Sequence, residues 1–258
     1  MQPHATLHEL LEAFRQGEIS REEAATRIEG LRIEQLEEFA RLDLGRSARC
    51  GVPEVILAEG KSPDHLAGIV RRTVAAQGRC IVTRVSQGQA EEIRRGCRED
   101  GHGVEYLDIP RAVIAFRIPP PGKNGGIVAI LTAGTADLPA AEEARLIAEE
   151  MGCTVRTAYD VGAAGIHRLF PALKSVLDAH VFIVAAGREG TLPAVVAGLV
   201  DRPVIGLPVS SGYGYMGEGR AALASMLQSC SVLAVVNIDA GFTAGAFAAR
   251  IATMVACP

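Results

Sequence analysis

The sequence predicts an α/β protein. Its C-terminal half reads as a five-stranded, parallel, doubly wound sheet, and its N-terminal half as a smaller α/β domain with a helical arm. Three observations carry this. Apolar runs recur at 127–131, 155–159, 181–185, 203–207 and 233–237, and strand–helix alternation with short connections implies right-handed crossovers and parallel strands. The apolar stock is aliphatic: hydrophobic residues are 48% of the chain but aromatics only 4%, with no Trp, as suits a sheet covered by helices on both faces. Finally, Pro119-Pro120-Pro121-Gly122-Lys123-Asn124-Gly125-Gly126 is the strongest break in the chain, because neither a helix nor a central strand extends through it. It separates a first domain, 1–121, from a second, 126–258.

The arm comes first. Leu7, Leu10, Leu11 and Phe14 repeat at helical spacing and Gly17 ends the segment. Ser20 and Glu23 form a capping-box pattern that opens a second helix toward Gly30, and a third charged run, through Leu42, reads as helical. Val55-Ile56-Leu57 is strand-like and leads to Ser62-Pro63, an N-cap followed by proline at the first helical position. That helix runs to about Ala76. Cys80–Thr83 is the next strand, Ser86 and Gln89 make another capping box, and 104–107 and 112–116 complete the unit with two strands. Lys61 and the Arg71-Arg72 pair are its candidate basic groups.

Bulk properties exclude several classes. The net charge of −4 argues against a broad nucleic-acid footprint. No stretch approaches the ~20 apolar residues of a membrane span, and residues 1–12 lack a signal-peptide core. A cytoplasmic location is the expectation, with neither membrane nor nucleic acid as partner. The six cysteines (50, 80, 97, 153, 230 and 257) include no CxxC pair, so neither a disulfide framework nor a zinc motif is indicated.

Five strands in this rhythm suit a flavodoxin-like domain, whose ligands bind at the carboxyl ends of the strands. The residues there are the informative ones. After the first strand, Gly134, Thr135 and Asp137 lie in a small-residue loop feeding a helix, a setting for phosphate or simply for a capping aspartate. After the second come Asp160, His167 and Arg168, an acid and a His-Arg pair suited to proton transfer and anion clamping, or to a solvated surface. After the third, Glu189 stands between Gly187 and Gly190, a carboxylate on a turn that approaches a ligand closely. After the fourth, Pro208, Ser210, Gly212, Tyr213 and Gly214 open a glycine-rich loop running to Gly219. That loop contains a literal G-x-G-x-x-G. The dinucleotide fingerprint, however, belongs to a first βαβ turn, so the loop reads as an active-site cover whose tyrosines can lie over an aromatic ring. Cys230 lies just before the last strand, at the amino end of the sheet. Local sequence favours a buried inert thiol there, unless an oligomer brings it to a neighbour's site.

Taken together, GTADLPAAEEA, AGIHR, AAGREGTLPAVVAG and PVSS…ASMLQSC…AVVNIDAGFTAGAFAA resemble the family of aminoimidazole ribonucleotide carboxylases. They resemble more closely its branch that makes pyridinium-3,5-biscarboxylic acid mononucleotide for the nickel-pincer cofactor. The likeness extends upstream through FARLD, GVPEVILAEGK and VTRVS, a region the purine enzymes lack. The resemblance implies a PurE-like fold assembled as an octamer with sites at subunit boundaries. It implies nicotinic acid adenine dinucleotide as substrate, CO2 or bicarbonate as co-substrate, and AMP as a product. It also implies a catalytic role for Cys230 in LQSC and for Glu189 in the GxEG-type turn, and places His167 where the purine enzymes carry a catalytic histidine.

A pyridinium ring is electron-poor and does not attack CO2, so a thiolate that adds to it and makes it nucleophilic is chemically apt. Glu189 is the first candidate base and Asp160 the second. Mg2+ is a possible aid to anhydride hydrolysis, although no ligand cluster with metal spacing is visible in the sequence. The rival readings are an aminoimidazole ribonucleotide carboxylase or mutase, with His167 central and Cys230 dispensable, and a non-catalytic nucleotide sensor.

Overall fold

The computed structural model describes residues 7–36 and 40–256. They fall into two compact units. One runs to Tyr106 and includes Ala112–Pro119; the other comprises Leu107–Arg111 and the chain from Pro120.

In the first unit, helices α1 (Leu7–Arg15) and α2 (Arg21–Glu29) form the arm. Ser20 Oγ accepts the Glu23 N–H at 3.0 Å, as the capping pattern requires. The third charged run is not helical. Its described residues form two short antiparallel strands, β1 (Glu34–Leu36) and β2 (Ala40–Leu42), with Glu34 opposite Leu42. The reason is tertiary: Leu36, Ala40, Leu42 and Leu44 pack into the unit's core, and that burial outweighs the modest helix preference of the Glu-rich sequence.

After α3 (Arg46–Cys50) comes a four-stranded sheet of β3 (Val55–Leu57), β4 (Arg79–Thr83), β5 (Gly103–Leu107) and β6 (Ala112–Phe116), in the order β3-β4-β6-β5. Helices α4 (Pro63–Gln77) and α5 (Gln87–Glu99) pack through Leu66, Val70, Val74 and Ile93 onto Ile56, Cys80, Val82 and Val113. Ser62 caps α4, and Ser86 with Gln89 forms the expected capping box on α5. The basic candidates here are engaged within the unit: Lys61 donates to the Leu57 carbonyl at 2.8 Å, Arg71 forks onto Asp100 at 2.7 and 2.8 Å, and Arg72 pairs with Glu34.

The second unit is the doubly wound sheet. Strands β7 (Ile127–Thr132), β8 (Thr154–Ala158), β9 (Val181–Ala186), β10 (Val204–Pro208) and β11 (Ala234–Val235) are all parallel and lie in the order β11-β10-β9-β7-β8. This is the flavodoxin-like order. Alternate residues of each central strand face opposite layers. Val128, Ile130, Val181, Ile183, Ile205 and Leu207 meet α6 (Leu138–Glu150) and α10 (Gly241–Ala256). Ala129, Leu131, Phe182, Val184 and Val204 meet α7 (Leu169–Lys174), α8 (Thr191–Ala197) and α9 (Arg220–Leu227). With both faces covered, the central strands need apolar residues throughout, and hence their unbroken runs.

Helix α10 comes unusually close to α6, because a Cβ on Gly241 or Gly245 would strike the Ala140 or Ala144 carbonyl. No helix is long and apolar enough to cross a membrane among the described residues.

Candidate active site at the carboxyl end of the parallel sheet

β7 and β9 are neighbours in the sheet but not in the chain, and their connections wind off in opposite directions. A crevice therefore opens between the loops that follow them. Asp137 lies in that crevice, 4% exposed, at the end of a short 3-10 turn, Thr135–Asp137. Its Oδ2 accepts the Gly134 N–H at 2.9 Å and its Oδ1 accepts the Ser211 hydroxyl at 2.9 Å. Burial pushes the carboxyl above its ordinary range, while these bonds and those from the Gly187 and Ala133 amides pull it back. One carboxylate thus ties together the loops after β7, β9 and β10. Gly134 spends its amide on Asp137, whereas Thr135 stands exposed at the mouth.

The glycines make this junction possible. A Cβ on Gly187 would overlap Ser211 Oγ, and one on Gly212 would overlap the Gly187 carbonyl. Gly190 is left-handed (φ +68°) and sits 2.6 Å, by a notional Cβ, from the Ala222 carbonyl at the start of α9. These three close the seam between loops. Pro208 ends β10, and the Ser210 N–H donates to Asp239 Oδ1 at 2.9 Å. Beyond them Tyr213 projects outward, 72% exposed, with the Arg188 guanidinium carbon 4.2 Å from its ring centroid. Gly214, at φ +99°, turns the loop there. Glu189 is exposed beside Arg188 on the same rim.

The loop after β8 forms the second half of the mouth. Asp160 is left-handed (φ +56°), its N–H donating to Thr132 Oγ1 at 3.0 Å, and its carboxylate accepts Arg168 at 2.6 Å. His167 is exposed next to Arg168, on the 3-10 segment Ala163–Arg168. Behind Asp160, Tyr159 donates to the buried Glu142, which also accepts Arg145 at 2.8 Å; Arg145 reaches on to Glu149 at 3.0 Å. Burial and the Glu142 carboxylate both push the Tyr159 phenol well up, so it remains a donor.

Gly134, Asp137, Gly187 and Gly212 are thus brought into one junction, and Asp160 with Arg168 into one ion pair. Cys230 is brought to neither. It follows α9, at the amino end of the sheet, where it is exposed beside Leu227 and Val232, themselves exposed. Helix α9 alone, eight residues long, separates the two ends by about 12 Å. Sequence reasoning missed Ser211, Arg188 and the Tyr159–Glu142–Arg145 network. The adjacent serines gave no sign of which would bond Asp137, and only Tyr159's place beside Asp160 hinted at the network.

Residues 33–117 match the family described as the LarB/PurE-like N-terminal domain, and residues 127–256 match AIR carboxylase. An uncharacterized protein of Methanocaldococcus jannaschii is 43% identical over 251 residues, covering 95% of this chain and 96% of that protein. The chain belongs to the LarB/PurE-like family. The same archaeon's N5-carboxyaminoimidazole ribonucleotide mutase is 33% identical, but over 48% of this chain and 78% of its own length. A probable mutase of that name from Methanothermobacter thermautotrophicus is 32% identical over 48% of this chain and 37% of its own length. The LarB/PurE-like assignment makes the chain an enzyme of the carboxylase and mutase kind, with a first domain that the aligned part of those mutases does not include.

Proposed function

We propose that this enzyme carboxylates the pyridinium ring of nicotinic acid adenine dinucleotide at C5, with Cys230 as covalent nucleophile, and hydrolyses the phosphoanhydride to release AMP. The observation that carries the reading is the exposed Cys230 thiol in a chain that matches, over nearly its whole length, the two-domain branch of the family. The buried cysteines are poor alternatives. Burial pushes Cys97 up to about 11, Cys80 further, and Cys153 in the same direction, which keeps all three as inert thiols.

In this reading the Cys230 thiolate adds to the ring carbon beside C5, and the electron pair neutralises the ring nitrogen. C5 is then an enamine carbon and attacks CO2. Glu189, with Asp160 second, takes the C5 proton, and expulsion of the thiolate restores the aromatic ring. Water cleaves the phosphoanhydride to AMP and the dicarboxylated mononucleotide. Arg168 supplies a guanidinium for phosphate or carboxylate, and Gly134 and Thr135 line the entry of the β7 loop. His167 stands beside Arg168 for proton transfer.

In this reading a second subunit delivers Cys230 to the crevice, and an octamer with shared sites meets that need. The exposed Leu227 and Val232 around Cys230 favour its burial against another copy. No group of three or more His, Cys, Asp or Glu gathers as a metal cage among the described residues, so no step is assigned to Mg2+.

The test is incubation of the protein with nicotinic acid adenine dinucleotide and bicarbonate, followed by mass spectrometry. Formation of AMP with a dicarboxylated mononucleotide supports the reading, and Cys230→Ser should abolish the carboxylated product. AMP without the added carboxylate leaves a pyrophosphatase. Turnover of aminoimidazole ribonucleotide instead, with the Cys230→Ser variant unimpaired, would make the enzyme a purine-pathway carboxylase or mutase.

A further inference from the structure

The Arg188–Tyr213 stack lies on the rim of the crevice. The guanidinium carbon sits 4.2 Å from the ring centroid, and Tyr213 is 72% exposed. The two residues come from different strand-end loops. The Gly187–Gly212 contact holds those loops together immediately behind the pair, where a Cβ on either glycine would overlap the opposite loop. A guanidinium is a flat, weakly hydrated cation, and its attraction to an aromatic face is electrostatic. The free protein has therefore placed a planar cation on a tyrosine face beside its active-site cleft.

We infer that the Tyr213 ring is a subsite for a planar cationic ring and that Arg188 occupies it in the free enzyme as an internal stand-in for the ligand. Binding is an exchange. The ligand's cationic ring displaces the guanidinium from the Tyr213 face, and the released guanidinium pairs with an anionic group of the same ligand, a carboxylate or a phosphate. The exchange conserves charge at the rim, so a ligand carrying both signs gains at two places, whereas a neutral ring has to dislodge a cation without replacing it. The class selected is a zwitterionic, N-substituted pyridinium bearing a carboxylate or phosphate. This deepens the proposed function and rests on it for the identity of the ring.

The experiment measures binding without bicarbonate and in a Cys230→Ser background, so that neither carboxylation nor addition of the thiol to the cationic ring intervenes. Oxidised nicotinic acid adenine dinucleotide, with a cationic ring, is compared with its dihydro form, whose ring is neutral. N-methylnicotinate and nicotinate form a second pair lacking the adenylate. The protein with Tyr213 intact should prefer the cationic member of each pair by roughly two- to thirty-fold, the range of an aromatic-face cation contact. Tyr213→Phe should keep the preference and Tyr213→Leu should abolish it. Equal binding of cationic and neutral rings with Tyr213 intact, or a preference that survives Tyr213→Leu, overturns the inference. A Tyr213-dependent preference, with no carboxylated product when the unaltered protein is given bicarbonate, leaves the inference standing and removes the proposed reaction. Carboxylation with a preference indifferent to Tyr213 does the reverse, and failure of all four probes to bind removes both.

Discussion

Asp137 is the residue at which the fold and the candidate site meet. Its donors come from three loops, so its carboxyl group acts as a fastener as much as a ligand contact. Replacing it with alanine leaves the Gly134 N–H and the Ser211 hydroxyl without their acceptor. We predict a loss of about 1–3 kcal/mol in urea unfolding, the cost of unsatisfied buried polar groups. Asparagine keeps the shape and an acceptor oxygen, and the Ser211 hydroxyl is free to rotate toward its amide. The pH dependence then separates charge from shape. Burial raises Asp137 above its unfolded value of about 4. A carboxyl raised on folding binds its proton more tightly in the native state, so its contribution is greatest below the unfolded pKa and declines as pH rises through the folded one. Wild-type stability, measured relative to Asp137→Asn, should therefore fall as pH is raised from about 4 toward neutrality. A difference that stays flat, or rises, would mean that the bonds from the loops outweigh desolvation.

At the scale of elements, the closest packing is the α6–α10 seam. A Cβ at Gly245 would meet the Ala144 carbonyl and lie 3.0 Å from Ile147 Cβ, both on a helix fixed against the sheet. Gly245→Val should cost roughly 1–3 kcal/mol by overpacking. Gly68→Ala, in α4 where an added Cβ meets nothing within 4 Å, should instead gain about 0.4–1 kcal/mol through the unfolded chain. Thermal unfolding of the two variants should therefore move in opposite directions.

The same scale explains what the sequence made legible. Central strands buried on both faces write themselves as apolar runs, and β7 and β9 fall within one residue of their predicted spans. Capped helices announce their starts at Ser20, Ser62 and Ser86. The β1–β2 pair was illegible, because glutamate-rich sequence favours helix locally and only contact with the first unit's core makes it strand. Among the site residues, those singled out by strand-end position could be found. Those chosen by contact between loops, Ser211 and Arg188, required the three-dimensional arrangement.

For the whole molecule, the decisive fact is that Cys230 and the Asp137 junction stand at opposite ends of one sheet. A side chain spans a few ångströms, and α9 alone accounts for about 12 Å between the two ends. If Cys230 performs the proposed chemistry, each working site joins the junction of one protomer to the thiol of another. That arrangement has a consequence no single-chain site shares. A Cys230→Ser chain and a Glu189→Gln chain, each inactive as a homo-oligomer, complement one another when co-expressed, because the intact thiol of one then faces the intact carboxylate of the other. Random pairing of equal amounts should restore about a quarter of wild-type carboxylation, since one site in four combines both intact residues. Purification through two different tags ensures that mixed assemblies are measured. If such assemblies form and remain inactive while both parent chains fold normally, Cys230 is not delivered across an interface. The covalent mechanism would then lose the only route by which this fold brings the thiol to the crevice.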